Sequence, residues 1–218
     1  MKLIVPRWPA PSRVSAYGTT RDGGVSLPPY DTLNLGVHVG DDPARVTANR
    51  ARLCQTLDLP TPPVWLDQIH GTRVLTLAAG NTDYDVRADA AYTRTPGQVC
   101  AVMTADCLPV LFTCDEGNEV AAAHAGWRGL CNGVLEQTLS CFNAAPGAVM
   151  AWLGPAIGLM LLKWDPRYGR SLSSTIGPAS ARSGLLRTVN TWPISTPWHA
   201  SACRPRALPA SAVVSSVR

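Results

Sequence analysis

A single-domain α/β (α+β) fold of mixed strands and helices is what this sequence predicts, and three observations carry the prediction. Short apolar runs bounded by turn residues alternate with stretches of helical spacing through residues 1–158. No internal repeat suggests a solenoid. The chain has 218 residues, 46% of them hydrophobic, which is enough to bury the core of one domain.

The elements follow in order. Asp42-Pro43 supplies a capping side chain and a first-turn proline ahead of Ala44, Val46, Leu53 and Leu57, a spacing that predicts a helix ending near Leu57, before Asp58 and Pro60. Residues 64–70 read as a strand that would project Gln68 and His70 to one face, and Gly71 turns the chain into a second strand over 73–77. Residues 99–104, 108–113 and 120–124 predict three short strands. The last two are joined as a hairpin by Asp115-Glu116-Gly117-Asn118. From Gly126 one helix is expected through Leu130, Val134, Leu135 and Leu139, with a final strand over 149–153 before Gly154-Pro155.

Charge divides the chain. Residues 1–158 carry 11 Lys+Arg against 14 Asp+Glu, whereas residues 159–218 carry 8 against 1. In that last segment Asp165 is the only acid, and ten serines and six prolines break any period, so a basic, poorly packed tail is expected. An Arg-rich tail raises nucleic-acid contact as an option, but no specific nucleic-acid motif accompanies it. The most apolar stretch, Ala101 to Phe112, is interrupted by Asp106 and Pro109 and falls short of the ~18 residues of a membrane span, so no membrane association is expected. The opening Met1-Lys2-Leu3-Ile4-Val5-Pro6-Arg7 lacks the ~7–15-residue apolar core of a secretory signal. Seven cysteines, an odd count without tight pairs, imply free thiols and a cytoplasmic location.

Several side chains are candidates for chemistry. His70, Cys107 and His124 fall at ends of expected strands and offer donor types that zinc prefers; three protein ligands would leave a fourth position open for water. Their separations match no local zinc-finger pattern, so spacing alone leaves satisfied core residues as the alternative. Arg50, on the helix after Asp42-Pro43, and Arg128, between Trp127 and Gly129, are guanidinium forks suited to phosphate or carboxylate, although a solvated surface charge is the simpler reading of either.

Six motifs in sequence carry a resemblance. Asn34-Leu35-Gly36-Val37-His38-Val39-Gly40-Asp41-Asp42, Asn49-Arg50, Gln68-Ile69-His70-Gly71, Thr104-Ala105-Asp106-Cys107-Leu108-Pro109, His124-Ala125-Gly126-Trp127-Arg128-Gly129 and Trp152-Leu153-Gly154-Pro155-Ala156-Ile157-Gly158 resemble, in order, the motifs of the YfiH-like family. That family is called laccase-domain, multicopper polyphenol oxidase or purine nucleoside phosphorylase. The resemblance covers residues 1–158 and implies a single-domain layered sandwich of mixed sheets and helices with a metal, zinc or copper, held by His70, Cys107 and His124. After Gly158 the family's Phe-Glu-Val-Gly-like stretch and closing Phe-x-Ser-Tyr-Arg-Arg motif have no counterpart, so residues 159–218 are expected to be a divergent, out-of-frame or disordered tail on an incomplete domain.

The resemblance further implies a zinc-dependent enzyme that splits inosine or adenosine with phosphate into base and ribose 1-phosphate and also deaminates adenosine. Purine nucleosides and phosphate are then its partners. Asp106 is the candidate for proton transfer. Arg50 and Arg128 would hold phosphate or sugar hydroxyls, with Asn34 and Gln68 as neutral hydrogen-bonding partners. Three other readings stand beside it. One is copper-dependent phenol oxidation, which in multicopper laccases uses several coppers and many histidines, where this chain has four histidines. Another is a hydrolase editing cell-wall precursors with Cys107 as nucleophile. The last is an inactive truncated copy.

Overall fold

A computed structural model describes residues 1–156, 187–188 and 211–217 of the chain. In chain order the elements are β1 (Leu3–Ile4), β2 (Val14–Thr19), α1 (Pro43–Leu57), β3 (Val74–Leu77), β4 (Ala90–Thr93), β5 (Val99–Thr104), β6 (Leu108–Cys114), β7 (Val120–Ala125), α2 (Trp127–Asn132), α3 (Val134–Ser140), β8 (Val149–Leu153), β9 (Arg187–Thr188) and β10 (Ser211–Val217). They form an antiparallel four-stranded sheet, β1-β2-β10-β5, and a mixed six-stranded sheet, β3-β4-β7-β6-β8-β9, in which β3 pairs parallel with β4 and β8 parallel with β9.

Three apolar layers hold the sheets and helices together. Between the sheets lie Cys100 and Val102 of β5, Ala16 of β2, Val217 of β10, and Leu75, Ala91, Leu111, Ala122 and Trp152 of the larger sheet. The residues of opposite parity, among them Val110, Phe112, Ala121, Ala123 and Ala151, meet Val134, Leu135 and Leu139 of α3 on the outer face. On the other side Val99, Ala101 and Met103 of β5 pack against Leu53 and Leu57 of α1. Strands covered on both faces bury every residue but Leu108, which is why β5, β6 and β7 read as nearly continuous apolar runs rather than alternating ones.

The helix expected over 43–57 forms, with Asp42 accepting the Ala44 N–H and Asp58 closing it in the left-handed region. The expected β6–β7 hairpin also forms. Two expectations fail. Residues 64–70 make no strand, because their polar contacts go to scattered partners instead of one ladder: the Asp67 N–H bonds the Val86 carbonyl, and the Gln68 amide bonds Met103. The single helix from Gly126 is two, α2 and α3, broken where Gly133 adopts φ +92°. The tail expected over 159–218 lies for the most part outside the described residues; Ser211–Val217 are described and form β10, between β2 and β5. Composition averaged over the tail hides this run, which is free of proline and charge and rich in valine. Among the described residues no helix is long and apolar enough to cross a membrane.

Candidate metal centre

Two loops and a strand end meet at one end of the larger sheet: the Gln68–Gly71 turn, the link from β5 into β6, and the C-terminal end of β7. They bring one donor atom each from His70, Cys107 and His124 to within 4.8 Å of one another. Cys107 Sγ stands 4.0 Å from His70 Nε2, and the two imidazoles meet edge to face at 78° with centroids 4.8 Å apart. Gly126, capping α2, has the room that such closeness needs: a Cβ there would stand 2.7 Å from His70 Cδ2 and 3.1 Å from Cys107 Sγ. One turn on, a Cβ at Gly129 would meet the Gly71 carbonyl at 2.8 Å, so α2 lies directly on the His70 loop.

The donor atoms differ in their surroundings. His124 is buried and its Nδ1 lies 2.9 Å from Asp89 Oδ1, whereas the His70 side is open to solvent. Burial holds the His70 pKa down, and the neighbouring His124 and Arg128 act in the same direction against Asp89 and Asp106. The Cys107 thiol is pushed up to about 11, by burial first, then by the charge of Asp106 and its hydrogen bond, and by Asp89. A metal ion taken up here therefore displaces a thiol proton, while burial favours the neutral form of His70 that ligation needs. Two imidazoles and a thiol are a donor set that suits zinc or another borderline cation, with a position left over for a non-protein ligand.

Sequence reasoning missed Asp89. It is fully buried, and its carboxylate accepts N–H groups from Ile69 (3.2 Å), His70 (2.8 Å) and Gly71 (2.7 Å). Burial alone would raise its pKa, but the bonds from His124, Gly71 and His70 prevail and hold the carboxyl below its usual range. An acid flanked by alanines just before a buried strand was the one signal available.

The remaining expected residues are dispersed around this centre. Asp106 is exposed beside Cys107. Arg128 is exposed, its guanidinium 4.9 Å above the Trp127 ring. Arg50 is half-buried: its Nε donates to the Leu35 carbonyl at 2.9 Å, its guanidinium carbon lies 4.2 Å from the Trp65 ring centroid, and Nη2 reaches Met103 Sδ at 4.0 Å. Gln68 is tied to the backbone of the same Met103, accepting its N–H at 2.7 Å and donating to its carbonyl at 2.8 Å. Asn34 is fully buried, with its amide donating to the Gly36 carbonyl and to Asp41 and accepting the Gly36 N–H.

The model of one protein family, described as multi-copper polyphenol oxidoreductase laccase, matches residues 15–177. The chain belongs to this family. Among curated relatives it is 64% identical over 157 residues to purine nucleoside phosphorylase YfiH of Escherichia coli, covering 72% of this chain and 64% of that protein. It is 55% identical over 158 residues to a purine nucleoside phosphorylase of Haemophilus influenzae, with the same coverage. The chain thus spans a little under two thirds of the length of these relatives. Its fold matches a crystal structure from Neisseria meningitidis with a TM-score of 0.83 and 35% identity, over 99% of this chain and 98% of that one. It also matches YlmD from Geobacillus stearothermophilus with a TM-score of 0.75 and 26% identity, over 95% and 93%. Membership of the laccase-domain family and the His70, Cys107 and His124 cluster together make this end of the sheet a candidate metal centre in an enzyme fold.

Proposed function

We propose that this laccase-domain protein is a purine nucleoside phosphorylase with a zinc ion at His70, Cys107 and His124. The observation that carries the phosphorolytic reading is Arg50. Its guanidinium is partly withdrawn from water, stacks on Trp65, and has no carboxylate partner among the described residues. Met103 links it to the His70 loop through the Gln68 amide. A desolvated fork without a counter-ion suits a phosphate. Arg128, whose charge is felt at His70, supplies a second cation on the solvent side.

In this reading Arg50 and Arg128 orient inorganic phosphate so that one oxygen bonds the anomeric carbon of the ribose as the bond from that carbon to the purine nitrogen breaks. The bonding pair leaves with the purine, which takes up a proton, and ribose 1-phosphate is the other product. Asp106, exposed beside Cys107, carries the proton. A bound zinc ion supplies a Lewis acid able to lower the pKa of a water toward ~7, the chemistry that a deaminase side activity on adenosine calls for. In that side reaction the water oxygen replaces the amino group at C6 and ammonia leaves. Asn34 and Gln68, with their amides committed to the protein's own groups, are assigned to loop positioning instead of substrate contact. The free thiols of the six described cysteines accord with a cytoplasmic location.

Incubating the purified, zinc-loaded chain with inosine, with and without phosphate, tests the reading. Hypoxanthine and ribose 1-phosphate should appear in equal amounts and only with phosphate. Base release independent of phosphate would mark a hydrolase. Oxidation of a phenol upon copper loading, without any nucleoside cleavage, would favour the oxidase named in the family's description.

A further inference from the structure

Three consecutive backbone N–H donors of the 69–71 turn and the Nδ1 of His124 converge on the buried carboxylate of Asp89. Oδ1 faces His70 and His124, and Oδ2 faces Ile69 and Gly71. Both oxygens are therefore acceptors, which an ionised carboxylate is and a carboxamide is not. The turn they hold is one the chain does not adopt freely, since His70 sits at φ +60°, in the left-handed region that a non-glycine residue enters at a cost. Successive amides curled around an anion form a concave nest, and here the anion belongs to the protein.

From this geometry we propose that Asp89 is a positioning residue for the metal centre, joining both histidine ligands through one carboxylate before any ion arrives. Because Asp89 only accepts, His124 must carry its proton on Nδ1, which leaves the Nε2 lone pair for the cluster. The same carboxylate locks the turn that aims His70 at Cys107. The β-sheet reinforces the arrangement, for the His124 N–H donates to the Asp89 carbonyl at 2.7 Å, so the carboxylate and the imidazole it orients are carried on paired backbone.

This inference rests on the zinc reading only for its consequence, so its test begins without metal. In the metal-free wild-type chain, nitrogen-15 imidazole shifts should report His124 as the Nδ1–H tautomer, and the amides of residues 69–71 should be protected from hydrogen exchange. The Nε2–H tautomer, or unprotected amides, would overturn the proposal whether or not zinc binds. In Asp89→Asn the carboxamide must set an NH2 group against N–H donors. Zinc affinity, measured by competition with a chromophoric chelator, should fall tenfold or more, the His124 tautomers should mix and the 69–71 amides should exchange faster. Asp89→Glu keeps the charge and should recover part of the affinity. A folded Asp89→Asn with wild-type affinity would also overturn the proposal. Should that variant not fold, the wild-type tautomer and exchange results decide. Should wild type bind no zinc, the metal reading falls and the same two results still judge the role of Asp89.

Discussion

A methyl group at position 126 has nowhere to go, since His70 and Cys107 already occupy its place. The Gly126 backbone, at φ −63° and ψ 157°, suits alanine, so any effect of Gly126→Ala comes from crowding alone. We expect zinc affinity to fall at least tenfold while stability falls by roughly 1–3 kcal/mol, read by chelator competition and urea denaturation on the same sample. Cys107→Ser should likewise cost at least tenfold in zinc affinity, because a hydroxyl seldom replaces a thiolate; unchanged metal content would return Cys107 to a nucleophilic or structural role. Arg50→Ala should lower phosphorolysis by about ten- to a hundredfold, or roughly 1.5–3 kcal/mol, and deamination by much less, since only the first reaction binds phosphate. Equal losses would mean that its bond to the Leu35 carbonyl and its stacking on Trp65 serve the fold. Residues such as His70, Cys107 and His124 were legible because each sits inside a motif. Asp89 was not, as its partners lie 18 to 35 residues away and no local pattern announces a carboxylate that will be enclosed by amides.

Among the elements, the legible ones carry their own boundary chemistry. α1 has Asp42 and Pro43 at its start, and the β6–β7 hairpin has a polar turn. Residues 64–70 misled because apolar side chains recur there much as in a strand, while a side chain, Gln68, and not a backbone ladder meets the edge strand β5. The α2–α3 break turns on one torsion that periodicity does not report. At Gly133 the nearest atom to an added Cβ is Glu136 Oε2 at 3.5 Å, so the space is ordinary and only the backbone resists. Gly133→Ala should therefore cost about 1–2 kcal/mol in chemical denaturation and leave zinc affinity untouched. A loss of metal along with stability would show that the α2–α3 angle reaches the centre through Gly129 and the Gly71 carbonyl.

On the scale of the whole molecule, the four-stranded sheet depends on a strand that composition conceals. β10 pairs with β2 from Val213↔Gly18 to Val217↔Val14 and with β5 from Ser211↔Thr104 to Ser216↔Val99. A chain ending at residue 210 would leave both strands with open hydrogen-bonding edges beside the inter-sheet core. We expect such a chain to elute as aggregates on size exclusion and to lose the cooperative thermal transition of the full chain; a monomer with an unchanged transition would show that β10 is dispensable. The mixture of strands and helices was legible from alternating elements and the sandwich from the family resemblance, but the order of layers and strands was not, because pairing across long separations leaves no trace in a local window. That order has a bearing on synthesis. At a ribosomal rate of roughly 5–20 residues per second, Val213 follows Gly18 by about 10–40 s. For that interval β2 waits as half a sheet, with its partner still untranslated, and a holdase chaperone that covers exposed strand edges would find its natural client in this nascent chain.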